Sequence, residues 1–526
     1  MKKYLLIIAC LSFSFALVAQ TNAPLNHSYY SFIEKDMHDI GIEKHTSIKP
    51  FLFSSEDTTY YRSLKPISSK RLLIHNFLNG NLLEVKNTDY RFILNPLFHF
   101  ELAEDDDRRY INTRGVEVKG KIGRKISFYS SFYENQMLLP EYIEQYIKAH
   151  ENVVPGQGMA KHEPLADHIM DFYYANGYIN YDINSFFDLQ FGHGKNFFGD
   201  GYRSMLLSDN SFNYPYLKIT TDVWKFKYVN LFSYFQDIDF DIDAPDISKY
   251  KFSAVHYLST NIGKRLNVGL FESIMLGEDS LGNVFDISYM NPIIFYRPVE
   301  YSVGYSRQGN AILGLTLKYK LSSTSHIYGQ LLLDEFRLSD FRAQNGAWRN
   351  KFGGQIGMKY FDAFGFDNLN LQSEINFARP FTYSHFNPIQ NYAHFAQPLA
   401  HPLGASFLEN VSIARYRKDR WTADLKVIHA KHGGEIAGDS TNYGSDISIS
   451  YTEGDYKEFN NDIGQGNTTK LQIIDFRVGY IINPRTNMKL ELGLTNRVSK
   501  DLTTTHKNQY LFFAFKTDLQ NFYYDF

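Results

Sequence analysis

Apolar and polar residues alternate one by one along several stretches of the chain. In the clearest stretch Leu313, Leu315, Leu317, Tyr319 and Leu321 alternate with Gly314, Thr316, Lys318 and Lys320. The same alternation recurs at residues 116–122, 224–234, 421–427, 474–482 and 488–495. Charged residues within each stretch fall on one face, so each stretch predicts a strand with one wet face and one apolar face. Because soluble sandwiches and propellers alternate in the same way, the pattern alone does not choose between them and a membrane barrel.

The two ends of the chain favour a membrane barrel over a soluble protein. Residues 1–19 hold two lysines, an apolar run and the small residue Ala19, which is the three-part pattern of a secretory signal. A lipoprotein signal at Cys10 is the alternative, although few apolar residues precede that cysteine. No later apolar run is long enough for a membrane helix, so an exported chain is either released or inserted as a closed barrel. The last residues predict an aromatic-rich strand that closes on Phe526, similar to the terminal strand of outer-membrane barrels; an ordinary buried strand is the alternative.

Export, aromatic residues near strand ends and the aromatic C-terminal strand together predict an all-β fold. Candidate strands from residue 89 to 526 number about 16 to 19, and bacterial barrels have even numbers of strands. We therefore predict a transmembrane outer-membrane β-barrel of about 18 antiparallel strands at residues 89–526, with outer-membrane lipid as its surroundings.

Residues 20–88 have a different pattern. Residues 27–44 and 68–80 have a helix-like spacing of apolar residues, with Ser68 or Ser69 as the N-cap and Gly80 as the stop of the second helix. These residues predict a small helical periplasmic or plug segment. A further helix is predicted to start at Pro140, followed by an irregular loop at residues 153–164.

Composition narrows the classes of function. The net charge of −3 gives no indication of nucleic-acid binding. The 39 Tyr and 44 Phe suit strands and membrane interfaces. Cys10 is the only cysteine, so a chain cut after Ala19 has no disulfide, thiol nucleophile or cysteine metal ligand.

Few motifs suggest chemistry. The glycines at 192, 194, 199 and 201 do not match the spacing of a dinucleotide or phosphate loop, and a tight turn is the simpler interpretation. His429, His432, Glu435 and Asp439 are either metal ligands or solvated loop residues, and residues 104–107 are either a calcium site or a charge-paired turn. No catalytic motif is found, and we expect no cofactor and no resident metal.

One region carries a family resemblance. The stretch "FGHGKNFFGDGYRSMLLSDNSFNYPYLKI", followed by "WKFKYVNLFSYF", resembles the signature of the Wzi family of outer-membrane capsule-assembly proteins, as do "MNPIIFYRP" and "SRQGNAILG". The stretches "TRGVEVKGKIGRKISFYSSFYENQMLLPEYI", "VVPGQG", "FAQPLAHPLGASF" and "NFYYDF" are similar to RemB-like gliding-motility proteins, a Bacteroidetes branch.

The resemblance implies an 18-stranded barrel with a helical periplasmic element and no catalysis. For the Wzi family it implies attachment of exported polysaccharide to the cell surface, and for the RemB-like branch a part in gliding. The sequence departs from a polysaccharide binder in having no distinctly basic rim. The partners implied are surface polysaccharide and other envelope or gliding-machinery proteins.

Two groups of residues are predicted to contact the polymer. The first group comes from the glycine-rich stretch and comprises Lys195, Asp200, Arg203, Asp209 and Asn210. The second group lies at strand ends and comprises Asn310, Asp334, Glu335 and Arg337. The leading prediction is a non-enzymatic barrel that serves surface polysaccharide or gliding. A transport pore, an outer-membrane hydrolase and a soluble exported propeller are the alternatives.

Overall fold

A computed structural model describes residues 19–53, 64–161, 168–238, 248–278, 282–292, 295–296, 298–299 and 309–526. The predicted signal peptide, apart from Ala19, and part of the predicted loop at residues 153–164 lie outside these residues. Within the described residues, eighteen antiparallel strands form one closed barrel in which the last strand pairs with the first. The strands are β1 (Tyr90–Glu104), β2 (Arg108–Ile122), β3 (Ile126–Leu138), β4 (Met170–Asp182), β5 (Phe187–Gly194), β6 (Tyr214–Val223), β7 (Phe226–Ile238), β8 (Ser248–Ile262), β9 (Leu266–Gly277), β10 (Asn310–Lys320), β11 (Ser325–Glu335), β12 (Lys351–Tyr360), β13 (Leu369–Ala378), β14 (Phe407–Lys418), β15 (Trp421–His432), β16 (Thr469–Asn483), β17 (Met488–Lys500) and β18 (Thr505–Thr517).

The predicted alternation has its physical basis in the two faces of this wall. In β10, Leu313 and Leu317 point outwards and are about 40% exposed, whereas Thr316 and Lys318 point into the lumen and are buried. An apolar exterior and a polar interior are the arrangement of a barrel that sits in lipid. The prediction of an outer-membrane β-barrel of about 18 strands is confirmed, and the protein is located in the outer membrane.

The connections differ at the two ends of the barrel. At one end they are short turns, such as residues 224–225 and 419–420, and at the other end they include the long loops 379–406 and 433–468. Short turns face the periplasm in bacterial barrels, so the long loops face the cell exterior. Strand β1 starts and β18 ends at the periplasmic end.

In the residues that the structure describes, the α-helices are α1 (His27–His38), α2 (Leu72–Asn79), α3 (Glu141–Ala149) and α4 (Leu338–Ala343). The two in the N-terminal region lie within the segments predicted as helical. Helix α2 stops at Gly80 as predicted, but its N-cap is Arg71 and not Ser68 or Ser69. Ser69 forms hydrogen bonds only with nearby Arg71, so the helix starts later than the apolar spacing suggested. None of the helices in the described residues has both the length and the apolar character needed to cross a membrane.

Three segments fill the lumen. The first is residues 19–53, whose α1 places Glu34 against Lys359 on the inner wall. The second is the loop at residues 195–213, in which Phe197 and Phe198 form a short two-stranded sheet with Ile48 and Lys49. The third is the C-terminal tail, residues 518–526. Residues 83–86, which were predicted to lie apart from the wall, pair antiparallel with the periplasmic half of β1 and so belong to the wall.

The C-terminal tail corrects one prediction. Strand β18 ends at Thr517, and the residues after it turn back into the lumen, so the strand predicted to close on Phe526 is wrong from Asp518 onwards. Asp518 binds Lys489 of the inner wall at 2.7 Å and accepts a hydrogen bond from Asn26 at 2.9 Å. A polar residue with these partners is more stable in the lumen than on a lipid-facing strand.

Candidate functional site

The glycine-rich stretch forms the bend by which the second lumen segment leaves the wall. Beyond the end of β5 at Gly194, the chain turns inwards and buries Met205, Leu206 and Leu207 completely. Gly192 is needed where the wall is tight, because a Cβ there would lie 2.7 Å from the hydroxyl oxygen of Tyr216. The glycines therefore serve a turn and close packing, as the spacing predicted.

The five residues predicted from this stretch are placed inside the lumen. Lys195 donates to the carbonyl oxygens of Gly156 and Asp209 at 2.8 and 3.0 Å. Burial lowers the pKa of the Lys195 ammonium to about 8, an effect that the charge of Asp209 partly opposes. Asn210 donates through its side-chain amide to the carbonyl oxygen of Pro398 at 3.0 Å.

Asp200 joins the N-terminal segment to the wall. It accepts a hydrogen bond from Thr46 and lies 3.5 Å from the ammonium of Lys318. Burial alone would raise the pKa of Asp200, but the charges of Lys318 and Lys49 hold the pKa below its usual value. The carboxylate is therefore ionised and paired with Lys318 of the wall.

Arg203 and Asp209 bind the C-terminal tail. Arg203 is 2% exposed, and its guanidinium lies 3.0 Å from Asp525 and 3.2 Å from Glu409. Asp209 accepts hydrogen bonds from Tyr523 at 2.7 Å and Asn521 at 2.8 Å. In this arrangement all five residues hold the plug together, by which we mean the three segments that fill the lumen. Polymer contact through any of the five residues stays a prediction.

Only some residues of the second predicted group lie at the outer rim of the barrel. Asn310 is buried and donates to the carbonyl oxygen of Gln390 at 3.1 Å, and Asp334 accepts from the backbone of Tyr383 at 2.8 Å. Glu335 lies 2.9 Å from Lys351, and Arg337 is exposed at the start of α4. Glu335 and Arg337 are therefore the members of this group that a ligand outside the cell can reach.

The alternative metal sites do not assemble. Glu435 accepts from the backbone of Tyr443 at 2.9 Å, and Asp439 accepts from the hydroxyl of the same tyrosine at 2.7 Å. In the turn after β1, Asp105 pairs with Arg109 at 3.0 Å. Among the described residues no group of three or more metal-ligating side chains converges.

Sequence reasoning missed an open cleft at the extracellular end, which we call the extracellular cleft. It has a volume of about 650 Å³ and lies between α3, the turn at residues 105–107, residues 505–508 and the side chains of Arg497 and Phe526. Ile143 and Ile147 of α3 are buried at 2% and 0% exposure, so the opposite side of the helix faces the cleft. That side presents Tyr142, Gln145, Tyr146 and Ala149.

Aromatic rings and polar groups share the cleft. The ring of Tyr146 stacks on His150 at 3.8 Å and also lies 4.4 Å from the ring of Phe526. Burial lowers the pKa of His150, so its imidazole is neutral at pH 7. Flat aromatic faces beside hydrogen-bonding groups suit a sugar ring, which has apolar C–H faces and an edge of hydroxyls. The helical spacing of Tyr142, Gln145, Tyr146 and Ala149 could have indicated that these four residues share one face of α3. Nothing near them in the sequence indicated that Arg497 and Phe526 lie beside that face.

The floor of the cleft is built by the end of the C-terminal tail. Arg497 donates through Nε to the carbonyl oxygen of Phe526 at 3.1 Å, and its guanidinium lies 4.4 Å from the ring centre of Tyr142. Below this floor lies an internal cavity of about 270 Å³, to whose lining Tyr142 also contributes. Tyr142, Arg497 and Phe526 thus separate the cleft from the interior.

Comparison with solved structures found proteins of similar fold, whereas comparisons of sequence found none. No protein-family model and no curated protein matches the sequence. Among solved structures, the chain is similar to Escherichia coli Wzi, an outer-membrane protein involved in group 1 capsule assembly and described as a carbohydrate-binding β-barrel, with a TM-score of 0.55, 12% identity, and coverage of 94% of this chain and 99% of Wzi. Pseudomonas aeruginosa OprD gives a TM-score of 0.42 at 10% identity, covering 81% and 94% of the two chains. Pseudomonas aeruginosa OpdK, solved with vanillate, gives 0.42 at 9% identity, covering 81% and 98%. At 12% identity the likeness to Wzi is one of overall barrel fold.

Proposed function

We propose that this protein is a non-enzymatic outer-membrane barrel that retains polysaccharide at the cell surface. The observation that carries the proposal is the combination of a filled lumen with an open, aromatic-lined cleft on the outside. A barrel built for free passage of solutes leaves its lumen clear, whereas here three segments cross it. The carbohydrate binding described for Wzi, whose fold is similar, supports the same assignment.

The cleft offers two kinds of contact to a polymer. Tyr146 and Phe526 provide ring surfaces against which a sugar can stack. Asp106, Gln145, Lys507 and Asn508 provide donors and acceptors of both charge signs around the edge. This mixture fits a neutral or weakly charged polysaccharide better than a strongly acidic one, because lysines and arginines do not outnumber carboxylates among the residues that line the cleft. Half-buried Glu335 and exposed Arg337 offer a second set of polar contacts at the same end of the barrel.

A role in gliding is the second candidate. Three of the stretches that resemble RemB-like proteins meet around the floor of the cleft and the internal cavity below it. They are residues 113–143, which end in α3, residues 153–158, which contain Gln157, and residues 521–526 at the end of the tail. Gln157 donates to the hydroxyl of Tyr524, so the second and third stretches are in contact. In this case the cleft would hold an adhesive polymer or a surface protein of the motility machinery.

The test is the division of surface polysaccharide between cells and medium in a strain that lacks the gene and in its parent. We expect polymer to move from the cells into the medium in the deletion strain. Complementation with Tyr146→Ala should restore retention only in part, because a stacking surface is lost. Phe364→Ala is the matched control, since Phe364 is an exposed aromatic residue in a periplasmic turn.

An unchanged division in the deletion strain would show that polysaccharide retention is not the main role. Gliding speed measured in the same strains then decides the second candidate. Full retention by the Tyr146→Ala protein would leave the role intact but move the binding site away from the cleft.

A further inference from the structure

The C-terminal tail crosses the whole height of the barrel inside the lumen. Asp518 is bound to Lys489 near the periplasmic end. Midway, the hydroxyl of Tyr523 lies 2.6 Å from the imidazole of His27 in the N-terminal segment. At the extracellular end, Tyr142 of α3 donates to the carbonyl oxygen of Tyr524 at 2.7 Å, and Phe526 lies under the cleft. The tail therefore occupies a continuous path through the lumen, from the periplasmic end of the barrel to the cell surface.

The wall beside the tail has the character of a water-filled channel. The internal cavity next to the tail is lined by charged side chains of both signs on β15–β18: Lys426, Asp475, Arg477, Lys489, Glu491 and Lys516. Many of these charges pair with one another, as Lys489 and Lys516 each do with Glu491 at 2.6 Å. A charged inner wall is typical of barrels whose lumen holds water.

The tail is held differently from the rest of the plug. It forms no strand with the wall, and its hold comes from side chains such as Asp525, which binds Lys426 at 2.6 Å. The other lumen segments have anchors that do not involve the tail. Glu34 of α1 binds Lys49 and Lys359, and the backbone of Met205 donates to Gln330 at 2.7 Å. Removal of the tail therefore leaves those anchors in place.

We propose that the C-terminal tail is a stopper. Its displacement opens a conducting path for ions and small hydrophilic solutes through the part of the lumen that the tail occupies. The gate is the floor of the cleft, where Tyr142, Arg497 and Phe526 separate the internal cavity from the exterior. This transport activity goes beyond polysaccharide retention and does not rest on it.

The first test compares the full-length protein with a variant that ends at Thr517, each reconstituted in planar lipid bilayers. We expect the full-length protein to remain closed and the truncated protein to give stepwise currents. Heat-dependent gel migration in detergent shows whether each protein is a folded barrel. A folded truncated barrel that stays closed would overturn the proposal, as would a full-length protein that conducts equally well.

The second test covers the case in which the truncated protein does not fold, because the truncation leaves Arg203, Lys426 and Lys489 without their tail carboxylates. The double variant Tyr142→Ala with Phe526→Ala keeps those carboxylates and removes the two rings of the gate, together with the hydrogen bond from Tyr142 to the carbonyl oxygen of Tyr524. We expect brief openings that the parent lacks, and their absence in a folded double variant would overturn the proposal.

The matched control is Trp348→Ala with Tyr456→Ala. These two rings lie 5.5 Å apart at the extracellular end, in loops whose aromatic contacts do not include the tail. We expect this control to remain closed. Equal currents from the control and the gate variant would also count against the stopper, since they would reflect general loosening of the loops.

Discussion

Arg203 shows how strongly a single residue can tie the plug together. Its guanidinium lies between Glu409 of the wall and Asp525 of the tail, and all three residues are almost fully buried. A buried charge that loses its partner costs far more than an exposed ion pair contributes. The arginine therefore matters chiefly because of the two carboxylates that it neutralises.

We predict that Arg203→Ala destabilises the barrel by about 3 kcal/mol, the lower part of the range for a broken buried pair. The lower part applies because Glu409 keeps His401 at 2.7 Å and Asp525 keeps Lys426 at 2.6 Å. Denaturant-dependent loss of the compact gel band measures the change. The control is Arg337→Ala, which removes an exposed arginine and should have little effect. Equal effects of the two substitutions would contradict the assigned role of Arg203.

The buried ammonium group of Lys195 should make the stability of the folded barrel depend on pH. Burial lowers the pKa of its ammonium in the folded state to about 8, whereas in an unfolded chain the pKa is about 10.4. Between these values the unfolded state binds more protons, so the free energy of unfolding rises with pH. Below about pH 8 lysine is charged in both states and its effect on stability is constant.

We therefore expect the resistance of the barrel to denaturant to increase from about pH 8 to about pH 10 through this residue. The Lys195→Met protein should lack that part of the increase, which is measured as the difference between the pH profiles of the two proteins. Parallel profiles would show that Lys195 is more solvated than its contacts with Gly156 and Asp209 indicate.

At the scale of elements, α3 supports the extracellular cleft from behind. Ile143 and Ile147 bury one face of the helix against residues of β2, β3 and β4, while the other face lines the cleft. A helix of this length has little stability of its own, so its position depends on this packing.

We predict that Ile147→Ala loosens α3, because truncation of a buried isoleucine costs about 2–5 kcal/mol. Faster proteolysis within α3 and weaker polysaccharide retention are the expected results, with the compact gel band preserved. Gln145→Ala, on the exposed side of the same helix, is the control for proteolysis. Unchanged cleavage of the Ile147→Ala protein would show that α3 is held by other contacts.

At the scale of the whole molecule, the outer wall must match the bilayer. Leu317 is 44% exposed on the outward face of β10, where only lipid is available as a neighbour. Thr316 and Lys318, on either side of it in the sequence, face the filled lumen and are buried at 4% exposure.

We expect Leu317→Arg to reduce the amount of protein in the outer membrane, because an arginine on the lipid face costs about 2–4 kcal/mol near the middle of the bilayer. Quantitative membrane fractionation measures this. Leu317→Phe keeps the position apolar and should insert normally. Equal insertion of both proteins would mean that this part of β10 does not contact lipid.

The sequence by itself determined the barrel and most of its elements. Strands such as β10 and β17 were predictable because alternation is a local property, in which each residue and its neighbours show which face meets water. Helices α1 and α3 and the end of α2 at Gly80 were predictable for the same reason, since spacing and turn residues act within a few positions. Counting these local patterns gave about 16 to 19 strands, and the even strand numbers of bacterial barrels led to the prediction of about 18.

Only the tertiary structure decided what fills the lumen and what forms the extracellular cleft. Arg203 meets Asp525, and Tyr142 meets Tyr524, across hundreds of residues of sequence. The tail was predicted as strand because its aromatic residues suit a strand, yet Asp518, Asp525 and Tyr523 find buried partners that lie on other segments. Local pattern indicates which residues avoid water, but the closure of the barrel decides which distant groups come close enough to replace it.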